Sequence, residues 1–269
     1  MPGDERPPSF GPGLRRGVTG AVEDRERATD GNSGDEETLR LLRDGDLEIL
    51  GLLPRSSNYT FLARVGSRVR GEDLLGVYKP RAGETPLWDF PEGTLCGREV
   101  AAYVMARALG WPSVPPTVLR DGPEGVGSLQ RFVEFDPSEH YFTLREGRDE
   151  TYREIALFDA VVNNADRKGG HTLLAKDGGI FVIDHGVCFS AVPKLRTVIW
   201  DFAGEPIPPE LSAALERVLP RIAGDLRPEL SELLRPGEID AIADRIRGLL
   251  SAGSFPEPDS ERAYPWPPV

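Results

Sequence analysis

Long hydrophobic runs are missing from this 269-residue chain. No stretch of about eighteen apolar residues occurs, and the opening Met-Pro-Gly-Asp-Glu-Arg lacks the apolar core of a secretion signal, so neither membrane spanning nor export is expected. Cysteine is scarce too. Cys96 and Cys188 are the only two, both in apolar surroundings, and nothing marks them as a disulfide; reduced thiols in a cytoplasmic protein are the economical expectation. An excess of positive charge is also absent. With 32 Lys and Arg against 44 Asp and Glu the formal net charge is −12, and the basic residues are scattered singly, which argues against a nucleic-acid partner because phosphate contacts need a basic surface or stripe. No internal repeat or heptad run is present.

What the chain does have is a pair of acidic loops. Asn163-Asn164-Ala165-Asp166-Arg167-Lys168-Gly169-Gly170-His171 is followed by Asp184-His185-Gly186. Two carboxylates on separate loops, with potential ligands between them, suit a phosphoryl-transfer site that holds a metal and orients a nucleophile. Asp166 follows a predicted helix and lies in a polar loop that apolar packing does not explain, which makes it the candidate for orienting or deprotonating an acceptor hydroxyl. A lone Asp in such a turn is otherwise structural. Asp184 ends the apolar run Phe181-Val182-Ile183, where a carboxylate is costly unless it meets a cation. Arg167 and Lys168 add positive charge that would keep Asp166 ionised or meet an anionic acceptor, and Arg167 is counted with Asp166 as a catalytic candidate.

The order of elements runs from β to α. Residues 1–35 are rich in Pro, Gly and charge with few large apolar side chains, and disorder is expected there. A short helix near 37–43 precedes extended runs at 47–53, 59–65 and 74–80, which suggest an antiparallel meander. Residues 94–109 carry Val100, Tyr103, Val104 and Ala108 at helical spacing and stop at Gly110. Runs at 117–120 and 127–135 complete a five-stranded sheet, and Gln130 and Phe132 in the last of these are further nucleotide-binding candidates. Beyond Pro137 helices are expected at 150–162, 209–219 and 237–250, with short strands around Leu173 and 181–183. The expected organisation is an N-lobe at 45–135, a C-lobe at 136–252 and a Pro-rich tail at 253–269, which Tyr264 and Trp266 would dock.

Four pieces together, Gly76-Val77-Tyr78-Lys79-Pro80, Gly97-Arg98-Glu99-Val100-Ala101-Ala102-Tyr103, Phe158-Asp159-Ala160-Val161-Val162-Asn163-Asn164-Ala165-Asp166-Arg167 and Val182-Ile183-Asp184-His185-Gly186, make residues 45–250 resemble the actinobacterial phosphatidylinositol 3-/4-kinase-like family. Type II phosphatidylinositol 4-kinases and HipA-type kinases are more distant likenesses. The resemblance implies an α+β, two-lobed protein-kinase-like fold, with a small antiparallel-sheet N-lobe carrying one helix and a mainly helical C-lobe. It also implies ATP and Mg²⁺ as cofactors, Lys79 on the nucleotide phosphates, Glu99 as the partner of Lys79, and Asp184 on the metal. Strand-end lysines and helical Arg-Glu pairs are otherwise commonly solvated. The loop Pro54-Arg55-Ser56-Ser57-Asn58-Tyr59-Thr60 lacks the three glycines of protein kinases, so Ser56, Ser57 and Asn58 are the phosphate-binding candidates beside an ordinary hairpin reading.

One position departs from the pattern. Five residues after Asp166 the related kinases carry Asn, and this chain has His171. An imidazole is a softer ligand that favours manganese or zinc over magnesium; either His171 ligates the metal, or it hydrogen-bonds phosphate, or the chemistry is altered, with a loop His satisfying backbone groups as the plain reading. Lys194 and Arg196 fall in the activation-segment position, where they would serve the acceptor or remain surface charges. The acidic surface lacks the basic apolar patch needed for stable membrane association. The expected reaction is metal-assisted transfer of the γ-phosphoryl group of ATP to a hydroxyl of a small metabolite, ahead of protein and lipid acceptors. AMP transfer on the same fold and non-catalytic nucleotide binding are the alternatives.

Overall fold

The computed structural model describes residues 35–53, 58–67 and 71–269. The expectation for residues 1–34, and the candidates Ser56 and Ser57, lie outside these. Met1–Glu37 and Thr38–Val269 form separate compact units; of the first, only residues 35–37 are described, and they are helical.

Helix α1 (35–44) continues into the second unit, where Leu39, Leu41 and Leu42 are buried. The sheet follows as β1 (Asp46–Leu52), β2 (Phe61–Ser67) and β3 (Glu72–Pro80), then, after helix α2 (Leu95–Leu109), β4 (Thr117–Gly122) and β5 (Gly125–Arg131). All pairings are antiparallel in the order β1-β2-β3-β5-β4. This central place of β3 matters for the site: Lys79 pairs with Ser128 of β5 on one side of the strand, so its backbone is fixed to the last residue before Pro80.

Helix α2 is buried almost all round, including Arg98 and Glu99. A helix without a solvent face must have packing on both sides, and α2 contacts β4 and β5 as well as C-lobe helices. Its first amides have no intrahelical acceptors. The carboxylate of Glu84 supplies them, accepting from Leu95 N at 3.1 Å and Cys96 N at 2.8 Å, and Gly110 ends the helix at φ 90°.

The remainder comprises α3 (Tyr141–Leu144), α4 (Asp149–Val162), the hairpin β6 (Thr172–Leu174) and β7 (Ile180–Val182), α5 (Pro209–Ala223), α6 (Arg227–Ser231) and α7 (Pro236–Ala252). Short helices α3 and α6 escape sequence reading because one turn carries too little periodicity. Helix α5 also runs past the expected stop at Leu219, through Pro220, to Ala223; its buried stripe Leu211, Ala214, Leu215, Val218 and Ile222 outweighs the one ladder bond that proline removes.

Gly127 sits where β5 crosses the Lys79–Pro80 backbone, and a Cβ there would lie 2.5 Å from Lys79 O and 2.7 Å from Pro80 Cα. Because backbone cannot move aside as a side chain can, Gly127→Ala is expected to cost roughly 2 kcal/mol and lower Tm by roughly 4–8 °C. A thermal melt indistinguishable from the parent protein would contradict this account of the β3–β5 crossing.

Candidate active site

Lys79 emerges from the end of β3 with its ammonium between two carboxylates. It pairs directly with Glu99 of α2 and lies 2.9 Å from Asp184 Oδ1. Burial alone would push its pKa down, but Asp184 and Glu99 reverse the direction and raise it. Asp184 is held well below the usual carboxylate range, chiefly by the Lys79 ammonium and against the opposing effect of burial. The second oxygen of Glu99 accepts from His185 N at 2.9 Å. One carboxylate on α2 thereby aligns the lysine and anchors the loop that carries Asp184.

Asp184 has φ 64°, and the two other non-glycine residues in left-handed backbone among those described are Asn163 and Phe189. All three flank the acidic loops. Such strain persists only where surroundings over-determine it, and here they do. Asn163 donates from its amide to Ser190 O and Val192 O, each at 2.8 Å, and accepts from Lys194 N; Phe189 N donates to Val162 O at 2.6 Å.

The Asp166 carboxylate is about one-third exposed and lies 3.0 Å from Lys168 Nζ. Burial raises its pKa, with Lys168 acting in the opposite direction, which moves the group towards the range of a useful base. Asn164 shapes this turn: its Oδ1 accepts from Asp166 N and its amide donates to Asp159.

Arg167 differs from the expectation. Its guanidinium is wholly buried, donating from Nε and Nη2 to Asp159, from Nη1 to Ile183 O at 2.9 Å, and lying 2.7 Å from His185 Nε2. An acceptor has no access to it, so the charge beside Asp166 is supplied by Lys168, and Arg167 ties the two acidic loops to α4. Sequence reading missed Asp159. A charge inside the apolar run Ile155–Val162 was the available signal, since a carboxylate in such a place needs a buried partner.

His171 lies at the end of a 3₁₀ turn, Gly169–His171. Its Nδ1 accepts from Lys168 N at 3.4 Å and its Nε2 stands 3.3 Å from Asp184 Oδ2. Burial lowers its pKa to about 4, so the ring is neutral, and with Nδ1 accepting, the proton belongs on Nε2 and points at Asp184. His171 thus lies beside Asp184, where its ring would either donate to the carboxylate or join it at a metal. Among the described residues no group of three or more His, Cys, Asp or Glu is gathered to hold a metal. The donor set fits a magnesium ion that arrives with nucleotide phosphates and takes one or two carboxylates, and does not fit an all-protein cage.

The remaining candidates are less engaged with the cleft. Asn58 Oδ1 accepts from Thr85 N at 2.8 Å, and buried Gln130 donates to Thr117 Oγ1 at 2.9 Å, so each serves its neighbours in the N-lobe. Phe132 follows β5, where its N donates to Leu75 O. Lys194 is latched to Asp89 at 2.7 Å and sits 5.2 Å from the Trp88 ring centre, which leaves Arg196 as the exposed base of that segment. No described helix is long and apolar enough to cross a membrane.

A small sheet with one buried helix, and a mainly helical lobe bearing two acidic loops, define a protein-kinase-like fold. The Helicobacter pylori proinflammatory kinase CtkA has a similar structure, with a TM-score of 0.50 and 11% identity over 80% of this chain and 94% of that one. The sequence pattern described as phosphatidylinositol 3- and 4-kinase matches residues 119–223. Protein Rv2133c of Mycobacterium tuberculosis is 37% identical over 87% of this chain and 98% of its own length, and the chain belongs with it to the actinobacterial phosphatidylinositol 3-/4-kinase-like family. Phosphatidylinositol 4-kinase gamma 4 of Oryza sativa is 34% identical over 45% of this chain, which spans only 25% of that protein. Fold and family are those of phosphotransferases.

Two outcomes follow from this geometry. Arg167→Met would leave Asp159 charged and unpaired in the core, at a cost of about 3–5 kcal/mol; denaturant titration measures it, and a loss under about 1 kcal/mol would mean the pair is not a buried strut. For His171, the unfolded chain takes up a proton near pH 6.5 while the folded one resists until about 4. Its contribution to stability is thus present above about pH 6.5 and is lost as pH falls towards 4. Tm should decline over this window less steeply for His171→Asn than for the parent; parallel curves would show that His171 is not held neutral. Part of the slope remains in the variant, because His185 and Asp184 are shifted in the same direction.

Proposed function

We propose that this protein is an ATP-dependent kinase that moves the γ-phosphoryl group to a hydroxyl of a small metabolite. The observation that carries the reading is the Lys79 ammonium held between Glu99 and Asp184. Lys79 meets the nucleotide phosphates, and Glu99 keeps it from relaxing onto solvent. Asp184 would hold the magnesium ion that accompanies ATP; bound there, the ion supplies neutralisation of phosphate charge. His171, through Nε2–H, fixes the direction of the Asp184 carboxylate. Asp166 orients the acceptor hydroxyl and takes its proton, and Lys168 keeps the carboxylate in place and moderates the charge that gathers there.

The acceptor is inferred from what surrounds Asp166. Beyond the second acidic loop only α5, the single-turn α6 and α7 follow among the described α-helices, a small platform for an extended polypeptide. The plant relatives' names point to phosphoinositides, but a chain of formal net charge −12 has little to attract an anionic membrane surface. A small hydroxylated metabolite ranks first, protein second and phosphoinositide third.

Incubation with α- or γ-labelled ATP, magnesium or manganese, and a metabolite extract, followed by mass spectrometry, tests the reading. Label from the γ position in a small product is expected. Label from the α position would identify AMP transfer, and binding without product a nucleotide-binding module. Asp166→Ala is expected to reduce turnover by about 10²–10⁴ with unchanged Tm and nucleotide affinity, and full turnover in that variant would sink the assignment.

A further inference from the structure

We infer that the segment 263–269 is a positioning strap for the loop that carries Asp166; the inference deepens the phosphotransferase reading and rests on it. The course of this segment was expected to be set by Tyr264 and Trp266. Instead Trp266 is 88% exposed, and Tyr264 makes only an edge contact with Trp200. Backbone and small residues do the docking. Ala263 is 2% exposed, and its carbonyl accepts from Thr197 N at 3.0 Å and from Trp200 Nε1 at 3.2 Å. Pro265 is buried. Pro268 O then accepts from Gly169 N at 2.8 Å.

Both anchor points belong to the site. Thr197 pairs with Arg167 as a parallel bridge, one residue from Asp166, and Gly169 begins the turn that ends in His171. The strap therefore spans from the segment after the second acidic loop back to the first, closing a ring of backbone hydrogen bonds around Asp166. The strap runs at ordinary contact distance beside the paired glycines, and the tight neighbour of Gly169 is the Phe142 ring. A Cβ on Gly169 would lie 3.4 Å from Pro268 O and 3.0 Å from the Phe142 ring, and one on Gly170 would touch Val269 at 4.0 Å. A glycine pair is the most entropically costly way to build a catalytic turn, and Gly169 N has its acceptor outside the turn. Without the strap this amide loses its partner, and the turn that sets both Lys168 and His171 gains freedom.

The test deletes residues 267–269 from the 269-residue chain, leaving the Ala263 and Pro265 anchors in place. Hydrogen exchange at the Gly169 amide is expected to accelerate by at least roughly tenfold, a loss of about one net hydrogen bond. Phosphoryl transfer should fall by a similar factor while nucleotide Kd stays within about twofold. Pro268→Gly, which keeps the carbonyl but frees the backbone, should give a smaller change of the same kind. Unchanged exchange at Gly169 would overturn the strap, as would unchanged transfer. Faster transfer would also overturn it, by showing that the segment blocks the acceptor. If the parent protein transfers no phosphoryl group to any acceptor, the functional reading fails, and amide exchange alone still decides whether the strap holds the loop.

Discussion

The carboxylate of Asp159 and the guanidinium of Arg167 meet where neither side chain is accessible to water. Two ions in such a place are stable only if nearly every lone pair and proton is used, and Arg167 spends the rest of its donors on Ile183 O and on the ring of His185. Thr197 adds a hydroxyl to Asp159. The pair therefore joins four pieces of chain that are distant in sequence: α4, the Asp166 loop, the end of β7 and the segment near 197. Backbone bonds follow the same path, with Ala165 N on Val187 O and Arg196 N on Asn164 O. This buried charge and the backbone bonds beside it set the separation of the two acidic loops, which carry no large apolar side chain between them.

A second charged link orients the helix that meets Lys79. Arg98, next to Glu99 in α2, is buried with its guanidinium on Cys188 O and on Glu238, the residue that also caps α7 through Arg235 N. Glu99 faces the cleft and Arg98 faces the C-lobe. One helix thus delivers a carboxylate to Lys79 while being held from behind, and Gly97 allows the close approach to Leu233 O that this requires. The electrostatics are complementary: burial disfavours the charges of Lys79 and Asp184, and the opposite charges beside each more than offset it.

Much of the fold was legible because its elements obey simple periods. Extended runs bounded by turn residues in β1 to β5 and the 3.6-residue stripe of α4, α5 and α7 are local properties, and Gly110 announces the end of α2. The convergence of Lys79, Glu99 and Asp184 was also accessible, through motif order. Arg167 was not. Its direction depends on Asp159, and a residue's neighbours tell its polarity but not which way a loop turns. His171 shows the same limit, since the preference of an imidazole for softer metals says nothing of which nitrogen carries the proton. That is set by the Lys168 amide, a tertiary detail of a turn only three residues long.

The burial of α2 on both sides bears on how the chain is made. During synthesis the five strands and α2 leave the ribosome before any of α5, α6 or α7 exists. Until residues beyond Glu238 emerge, Arg98 has no carboxylate to meet and the outward face of α2 stays wet. The sheet can form early, yet the helix that orients Lys79 settles only once the residues of α7 are available.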